Sequence, residues 1–382
     1  LSVLPAWHVY ERIMDYLCLA CGSELVYTSR RRIGEDLRGV RPTVFAAVPR
    51  IWESIHDRIV SGIEKLQGPK QKLMRGVLAN CRKVGAGRGH GVDRLLNAFY
   101  RRTLLRPIHA ATGGRLRLAV SGGGALPGHI DEMLLGTGLC LLNGYGLTET
   151  SPVVCLRPPD QLRPATIGPA IPETEVEIRD PDGRRLPAGD IGLLWIRGPQ
   201  VMQGYYRNPE TTRRVLTDDG WFNSGDLARI DARGHVYITG RAKDTIVLAG
   251  GENVEPEPLE TGIKSSPLID QAVVLGQDQK ALGAILIPSP DCLAERVPRD
   301  EWGERDGELT GGKVLAAMRA ELDRTLARSA GFRPCERVAR FKVRTEPMTV
   351  ENGLLTPTMK VKRHEVQRQM GGMIEALFRD PA

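Results

Sequence analysis

Three short apolar runs constrain this fold more than any other feature. Val44 to Val48 (VFAAV), Arg115 to Val120 (RLRLAV) and Leu139 to Leu142 (LCLL) have strand length and stop at breaks rich in glycine or proline. Each reads as a buried strand. Pro49 and a helical stretch, IWESIHDRIVSGIEKL, follow the first; SGGGALP follows the second, and a helix opens at Leu126-Pro-Gly-His-Ile. Strand, loop, helix and strand in that order predict an α/β unit with a mostly parallel sheet and helices on its faces, because parallel neighbours need a long crossover. Residues 62–92, rich in glycine, lysine and arginine, are expected to include an exposed connection. Residue 1 is leucine and LSVLPAW reads as the middle of a strand, so the sequence is expected to be a fragment of a longer protein.

From about Ala165 the texture changes. TEVEIRD, GLLWIRG and HVYITG are short, alternating and separated by Pro/Gly/Asp turns, the pattern of a small antiparallel unit. After Gly240 the chain is α+β again. Strands are expected at TIVLAG, AVVLG and ARFKV, with an amphipathic helix through Val314, Leu315, Met318, Leu322 and Leu326 ended by Gly331. The expected domains are 1–164, 165–240 and 241–382, with a boundary at Arg241 to Asp244; 382 residues leave room for two or three cores.

Composition removes several classes of function. Hydrophobic content of 41% and charge of 26% are those of a globular protein, and no apolar run reaches the length of a membrane span. The net charge of +7 would suit lipid, nucleotide or nucleic acid. The basic clusters Arg30 to Arg32 and Arg101-Arg102 are short and lack interleaved aromatics, and aromatics are only 5% of the chain, so no nucleic-acid partner is expected. Cys18-Leu-Ala-Cys21 has CxxC spacing but no second pair completes a zinc site; two buried thiols are expected. Seven scattered cysteines and no secretion signal fit a reducing cytoplasm.

Three motifs fail on inspection. Ser121 lacks the first glycine of the G-x-S-x-G nucleophile elbow, which argues against a hydrolase. Gly122-x-Gly124 meets Pro127 where a dinucleotide fingerprint needs its third glycine. Gly307 to Lys313 matches GxxxxGK, yet Val314 replaces the hydroxyl residue and its flank RDEWGERDGE is not a strand, so it reads as a helix start.

Asn143 to Ser151 (NGYGLTETS) is different. Glycines let backbone approach a flat or charged ligand, threonine hydroxyls donate to phosphate oxygens, a tyrosine ring can stack on a base, and one carboxylate beside them suits Mg2+. A polar hairpin or strand-to-helix turn explains the same residues. Asp226, ending GWFNSGD, could accept from a ribose diol; Arg241 could pair with a phosphate; Lys360 follows a Thr-Pro turn in LTPTMK. Singly these also read as a turn acid, a surface ion pair and an exposed lysine.

Taken in order, SGGGAL, NGYGLTET, GWFNSGD, GRAKDTIVLAGGENVEPEPLE and LTPTMKVKR resemble the adenylate-forming (AMP-binding) synthetases, and within them the long-chain fatty acyl-CoA synthetases and their acyl-ACP synthetase relatives. The resemblance runs from LPAWHVYER at residue 4 to about residue 366. It implies a large N-terminal domain of parallel sheets with a small antiparallel β-barrel, and a mobile α+β C-terminal domain. It makes Asn143, Gly144, Tyr145 and Gly146 the nucleotide floor, with Tyr145 near adenine, Thr148 on ATP phosphate and Glu149 on Mg2+. Gly122, Gly123 and Gly124 would line the wall between adenine and the acyl carboxylate. Asp226 would take the ribose hydroxyls, Ile238 would pack near the base, and Arg241 would reach ribose and phosphate. Asp244 matches the hinge, Gly250 and Gly251 the loop beside the thiol tunnel, Lys360 the adenylation lysine, and His8 the histidine near the acyl pocket. In the wider superfamily a glycine usually precedes that lysine; here Met359 does, as in the long-chain branch.

The implied activity is ATP-dependent activation of a long-chain fatty acid to an acyl-adenylate, releasing pyrophosphate, then transfer to the thiol of coenzyme A, releasing AMP. Acyl-carrier protein is the alternative acceptor, suggested by the tryptophan of PAWHVYER. A non-catalytic nucleotide- or acyl-binding fragment is the competing class, because the family's phosphate loop precedes LPAWHVYER and the sequence starts after it. The isolated chain is accordingly expected to be inactive. The implied location is the cytoplasm, with room for peripheral association at the inner membrane face.

Overall fold

Ahead of the first predicted strand lie two helices, α1 (Val9–Ala20) and α2 (Ile33–Val40). The computed structural model describes residues 1–29, 31–327, 331–356 and 359–379; Arg30 of the first basic cluster, and Pro357 and Thr358 of LTPTMK, lie outside them. LSVLPAW is not a strand. Ser2 makes one isolated parallel bridge to Tyr27, and the His8 N–H then turns back to the Pro5 carbonyl. His8 caps α1, its Nδ1 accepting from the Tyr10 N–H at 3.1 Å, and this cap satisfies a backbone donor that the helix cannot.

The three predicted strands pair in parallel. β1 (Val44–Ala47), β2 (Leu118–Ser121) and β3 (Leu141–Gly146) lie side by side, with β4 (Val153–Leu156) antiparallel on the outer edge of β3. The crossovers hold α3 (Pro49–Glu64), α4 (Gly68–Gly85), α5 (Gly91–Arg102), α6 (Arg106–Ala111) and α7 (Gly128–Thr137). Pro49 stands in the first turn of α3, where its missing N–H costs nothing, and Trp52 packs edge-on to Phe45 at 5.5 Å. Residues 62–92 are mostly helix, with the expected exposed connections confined to 65–67 and 86–90. Val77, Leu78 and Cys81 form a buried stripe on α4, which packs on α7. A Cβ on Gly136 would sit 2.0 Å from the Cys81 carbonyl oxygen, so the glycine is what lets these helices touch.

A buried charge pair ties this layer together. Arg157, fully buried after β4, donates through both terminal nitrogens to the Asp131 carboxylate of α7 at 2.8 Å, and also to the carbonyls of Leu141 and Arg163. The Ala165 N–H adds a further bond to Asp131.

The antiparallel unit follows. β5 (Glu175–Arg179), β6 (Gly192–Arg197), β7 (Phe222–Ile230) and β8 (Val236–Arg241) form a four-stranded sheet in that order, and α8 (Pro209–Val215) precedes β7. Leu194, Ile196, Phe222 and Val236 pack with Val154 and Cys155 as its core. The strands run in linear order, with isolated bridges from Gly168 to Val236 and from Cys155 to Ala170; among the described residues no ladder joins β5 to β8.

Two compact units divide inside β8, one running Leu1–Ile238 and the other starting at Thr239. The second contains β9 (Ile246–Val247), β10 (Asn253–Val254), α9 (Pro256–Ile263), β11 (Ile269–Leu275), β12 (Leu282–Pro288), α10 (Pro290–Arg296), the two-residue hairpin β13 (Glu304–Arg305) and β14 (Glu308–Leu309), α11 (Gly312–Thr325), β15 (Val338–Val343), α12 (Arg363–Gln369) and α13 (Gly371–Arg379). Its sheet, β11-β12-β15, is buried on both faces. Ala272, Val274, Ala284 and Leu286 belong to one core with α9 and α11; Val273, Leu275, Ile285 and Ile287 belong to another with α12 and α13. That is why AVVL and LGAILIP read as continuous apolar runs rather than alternating ones. The GxxxxGK match is the start of α11, its flank the small hairpin. The CxxC thiols are not both buried: Cys18 is half-buried and Cys21, at the C-terminal cap of α1, is exposed.

Candidate active site

Ala47, Ser121 and Asn143 stand side by side where the parallel strands end. Open α/β sheets bind ligands at this carboxyl edge. The loop leaving β2 there carries Gly122, Gly123 and Gly124. Gly122 donates to the Ala47 carbonyl at 3.3 Å, and Gly123 adopts a φ of 78°. α1 lies against this loop: a Cβ on Gly122 would be 3.3 Å from the Tyr10 ring, and the Tyr10 hydroxyl donates to the Val120 carbonyl at 3.5 Å. Burial pushes the Tyr10 phenol far above its ordinary range. His8, two residues before it, is the helix cap. Ser121 is fully buried, which removes it as a nucleophile.

Asn143 to Gly146 are strand, not loop. Gly144 and Tyr145 pair with Leu156 and Cys155 on β4, and Gly146 with Val153. A Cβ on Gly146 would fall 1.5 Å from the Pro152 carbonyl oxygen, so any other residue would open the hairpin. Thr148, Glu149 and Thr150 then form a 3-10 turn. The buried Thr150 hydroxyl accepts from the Leu147 N–H at 3.0 Å and donates to the Pro152 carbonyl at 2.9 Å. The turn leaves Thr148 exposed and Glu149 half-buried.

Two tyrosine–carboxylate contacts organise the site. The Tyr145 hydroxyl donates to Asp226 Oδ2 at 2.5 Å, joining β3 to β7; Asp226 is 3% exposed. Burial, and then the Asp226 charge, hold the Tyr145 phenol well above its usual pKa, so it stays a donor. Gly225, at φ 70°, and the Ser224 hydroxyl, which accepts from the Asp226 N–H at 3.1 Å, set the carboxylate's position on β7. The second contact is not visible in the sequence: the Tyr205 hydroxyl donates to Glu149 Oε1 at 2.9 Å, and burial with this bond pushes Tyr205 up to about 12. Its only signal is a tyrosine pair in the turn QGYYRNPE, of which Tyr206 is exposed. Ile238 packs on the same core as Tyr145.

The AMP-binding enzyme family matches residues 1–206, more than half of the chain, and the AMP-binding enzyme C-terminal domain matches residues 243–302. The chain belongs to the AMP-binding enzymes. It is 35% identical to long-chain-fatty-acid–[acyl-carrier-protein] ligase AEE15, chloroplastic, of Arabidopsis thaliana, over 99% of this chain and 55% of that protein. It is 32% identical to long-chain-fatty-acid–CoA ligase FadD15 of Mycobacterium tuberculosis, over 99% of this chain and 62% of that protein. Among solved structures it is similar to the adenylation domain of a carboxylate reductase from Mycobacterium chelonae, with a TM-score of 0.75 and 25% identity, over 99% of this chain and 54% of that one. The chain thus spans little more than half the length of the relatives it matches.

The remaining candidates of this AMP-binding enzyme lie in its second unit. Arg241 ends β8 and caps the 3-10 turn Ala242–Asp244, its carbonyl accepting from the Thr245 N–H at 3.1 Å. Asp244 closes that turn. Gly250 and Gly251 are exposed at the tip joining β9 to β10, with Gly251 at φ 89°. Lys360 is exposed on a tight turn: Thr356 N–H donates to the Lys360 carbonyl at 2.8 Å, and Lys360 N–H to the Thr356 hydroxyl at 3.0 Å. Three residues on, Arg363 grips both oxygens of Glu260 at 2.8 Å, which anchors α12 to α9.

Glu149 and Thr148 offer hard oxygen donors at the sheet's carboxyl edge, which fits Mg2+ held by one carboxylate and nucleotide phosphates. No group of three or more His, Cys, Asp or Glu is placed to hold a metal among the described residues. A cation here would therefore draw most of its ligands from phosphate and water.

Proposed function

We propose that this chain forms the catalytic part of a ligase that uses ATP to activate a long-chain fatty acid as its acyl-adenylate and passes the acyl group to the thiol of coenzyme A. The Tyr145–Asp226 contact carries the reading. A buried carboxylate, fixed by a phenol whose ring packs beside it at the carboxyl edge of the sheet, is a ready acceptor for a ribose diol next to a surface for a base. Likeness to ligases named for long-chain fatty acids supports the substrate class.

The obstacle in the first step is charge, since a carboxylate must approach an anionic α-phosphate. Thr148 bonds a phosphate oxygen and Glu149 holds Mg2+, which when bound withdraws phosphate charge. Lys360 supplies an ammonium where negative charge grows and pyrophosphate leaves. Gly122, Gly123 and Gly124 keep the wall between adenine and carboxylate free of side chains, Ile238 flanks the base, and Arg241 pairs with ribose and phosphate. His8 borders the acyl chain, and Gly250 and Gly251 border the thiol. A lysine left in place would obstruct that thiol, so Asp244 acts as a hinge between the two steps.

Acyl-carrier protein is the second reading for the acceptor, favoured by the 35% identical relative that bears that name. The cytoplasm is the proposed site of action. The test supplies the intact protein with ATP, Mg2+ and a long-chain fatty acid, then coenzyme A or carrier protein, and measures pyrophosphate and thioester. Thioester on coenzyme A is expected. Thioester on carrier protein alone would replace the acceptor, and no fatty-acid-dependent pyrophosphate with either would overturn the proposal. Asp244→Pro, which fixes φ at the hinge, should spare pyrophosphate release and depress thioester formation.

A further inference from the structure

Helix α5 presents its polar face to the protein and its apolar face to water. On the inner side Asn97, 2% exposed, donates to the Gly136 carbonyl at 2.9 Å and accepts from the Cys81 thiol. Arg101 donates to the carbonyls of Gly136 and Leu135, both at 3.2 Å, and Asp93 pairs with Lys83 at 2.8 Å. The bonds to Leu135 and Gly136 serve carbonyls of the last turn of α7, where helices run short of backbone donors; the Leu135 carbonyl also accepts from the Gly138 N–H at 3.0 Å. Polar residues therefore hold α5 in place, and its structure needs nothing apolar on the other side.

That other side is nevertheless a continuous apolar ridge. Val92, Leu95, Leu96 and Phe99 follow the i, i+3, i+4, i+7 pattern of one helix face and are 70%, 74%, 43% and 59% exposed. Cations frame the ridge. From Arg82 to Arg106 there are seven lysines and arginines and one acid, Asp93, so this stretch carries +6 of the chain's formal +7. Arg88, Arg94, Arg102 and Arg106 are exposed.

We propose that the outward face of α5 seats this protein on an anionic lipid surface. Val92, Leu95, Leu96 and Phe99 enter the boundary between headgroups and acyl chains while the flanking arginines stay at the level of the lipid phosphates. A helix of 12 residues is too short to span a bilayer and lies in its plane. A fluid surface accepts four adjacent, protruding side chains without a pocket for each, and its anions complement the positive charge collected on this stretch. This inference rests on α5 alone and stands whichever thiol the enzyme uses.

The test is co-sedimentation of the protein with phosphatidylcholine–phosphatidylglycerol vesicles and with pure phosphatidylcholine vesicles, for the unaltered chain and for Leu95→Glu/Phe99→Glu. Binding to the anionic vesicles that weakens as salt rises is expected. The double variant should lose it by on the order of tenfold or more, with unchanged thermal unfolding because both side chains are exposed. Phe99→Trp supplies a reading independent of that variant: its fluorescence should shift to the blue on adding anionic vesicles. No vesicle binding, undiminished binding by the double variant, or fluorescence of Phe99→Trp indifferent to lipid would overturn the proposal. So would a double variant whose sole change is loss of a self-associated species or of a carrier-protein complex, since that would assign the face to a protein.

Discussion

Tyr145 and Asp226, on strands, with Glu149 on the short 3-10 turn after β3, are held in the opposite way to Lys360. The first three sit on or beside β3 and β7, buried or half-buried, and tyrosine hydroxyls occupy both carboxylates. Lys360 stands exposed on a turn closed by its own backbone, and the residue before it, Met359, takes a φ of 66°. A group that orients a nucleotide gains from being fixed in advance, because positioning is where its contribution arises. A group that is to act in one step and leave for the next gains from having little packed around it. The contrast therefore separates changes that should damage the fold from changes that should damage only the chemistry.

Removing one partner of the buried pair that ties α7 to β3 should have the largest effect. Asp131→Ala leaves Arg157 buried with its charge uncompensated and should cost about 3–5 kcal/mol of stability. Chemical denaturation measures it, and a loss below about 1 kcal/mol would mean β3 is not anchored through α7.

Lys360→Ala should invert that pattern. Acyl-adenylate formation should fall on the order of 100- to 1000-fold, with unfolding unchanged and thioester formation from supplied acyl-adenylate retained. A variant that unfolds more easily, or loses both half-reactions equally, would erase the distinction between the two regions.

Acid should unsettle the first unit through a group outside the site. His129 on α7 faces His56 edge-on at 5.4 Å; burial first, then His56 and Arg82, lower its pKa to about 4. An unfolded chain takes up that proton near the ordinary pKa of about 6.5, whereas the folded chain resists until about 4. Stability should be fully present above that window and decline by up to about 3 kcal/mol as pH falls through it. In His129→Gln the decline over the same window should shrink; an unaltered pH profile would show that His129 is not its source.

The smallest change sharpens the comparison within the site. Tyr145→Phe removes one hydroxyl donor to Asp226 and should cost about 1.5–3 kcal/mol, as for a single hydrogen bond to a charged group. We expect it mainly as a raised KM for ATP with a modest fall in kcat. A fall in kcat alone would move Tyr145 from positioning to chemistry.

Much of this is legible in the sequence because its signals are local. Strand length, glycine breaks and helical periodicity place β1, β2, β3, α3 and α7, and the doubly buried sheet of the second unit announces itself as unbroken apolar runs. Where local signals mislead, a nonlocal partner decides. The glycine- and lysine-rich composition of residues 62–92 marks their exposed connections but hides the helix between them, whose Val77, Leu78 and Cys81 stripe α7 covers. Asn143 to Gly146 have the look of a loop because glycines usually mark one; pairing with β4 makes them strand. LSVLPAW has strand-like residues, but Pro5 and the His8 cap turn the chain.

The sequence by itself determined the order of motifs, and with it membership of the AMP-binding enzymes, because the residue types that meet a nucleotide are set by the ligand's chemistry. Only the tertiary structure decided which of those residues touch. Tyr145 and Asp226 lie 81 positions apart and Glu149 and Tyr205 56 apart, and no local pattern encodes a contact at that separation. It also decided what Met359 is for. Glycine would reach a left-handed backbone there without strain; methionine adopts it, and its side chain packs against the core shared with Leu354 and Leu355. Tertiary contacts likewise decided where the apolar face of α5 points. Asn97 and Arg101, by capping α7, turn that face outward.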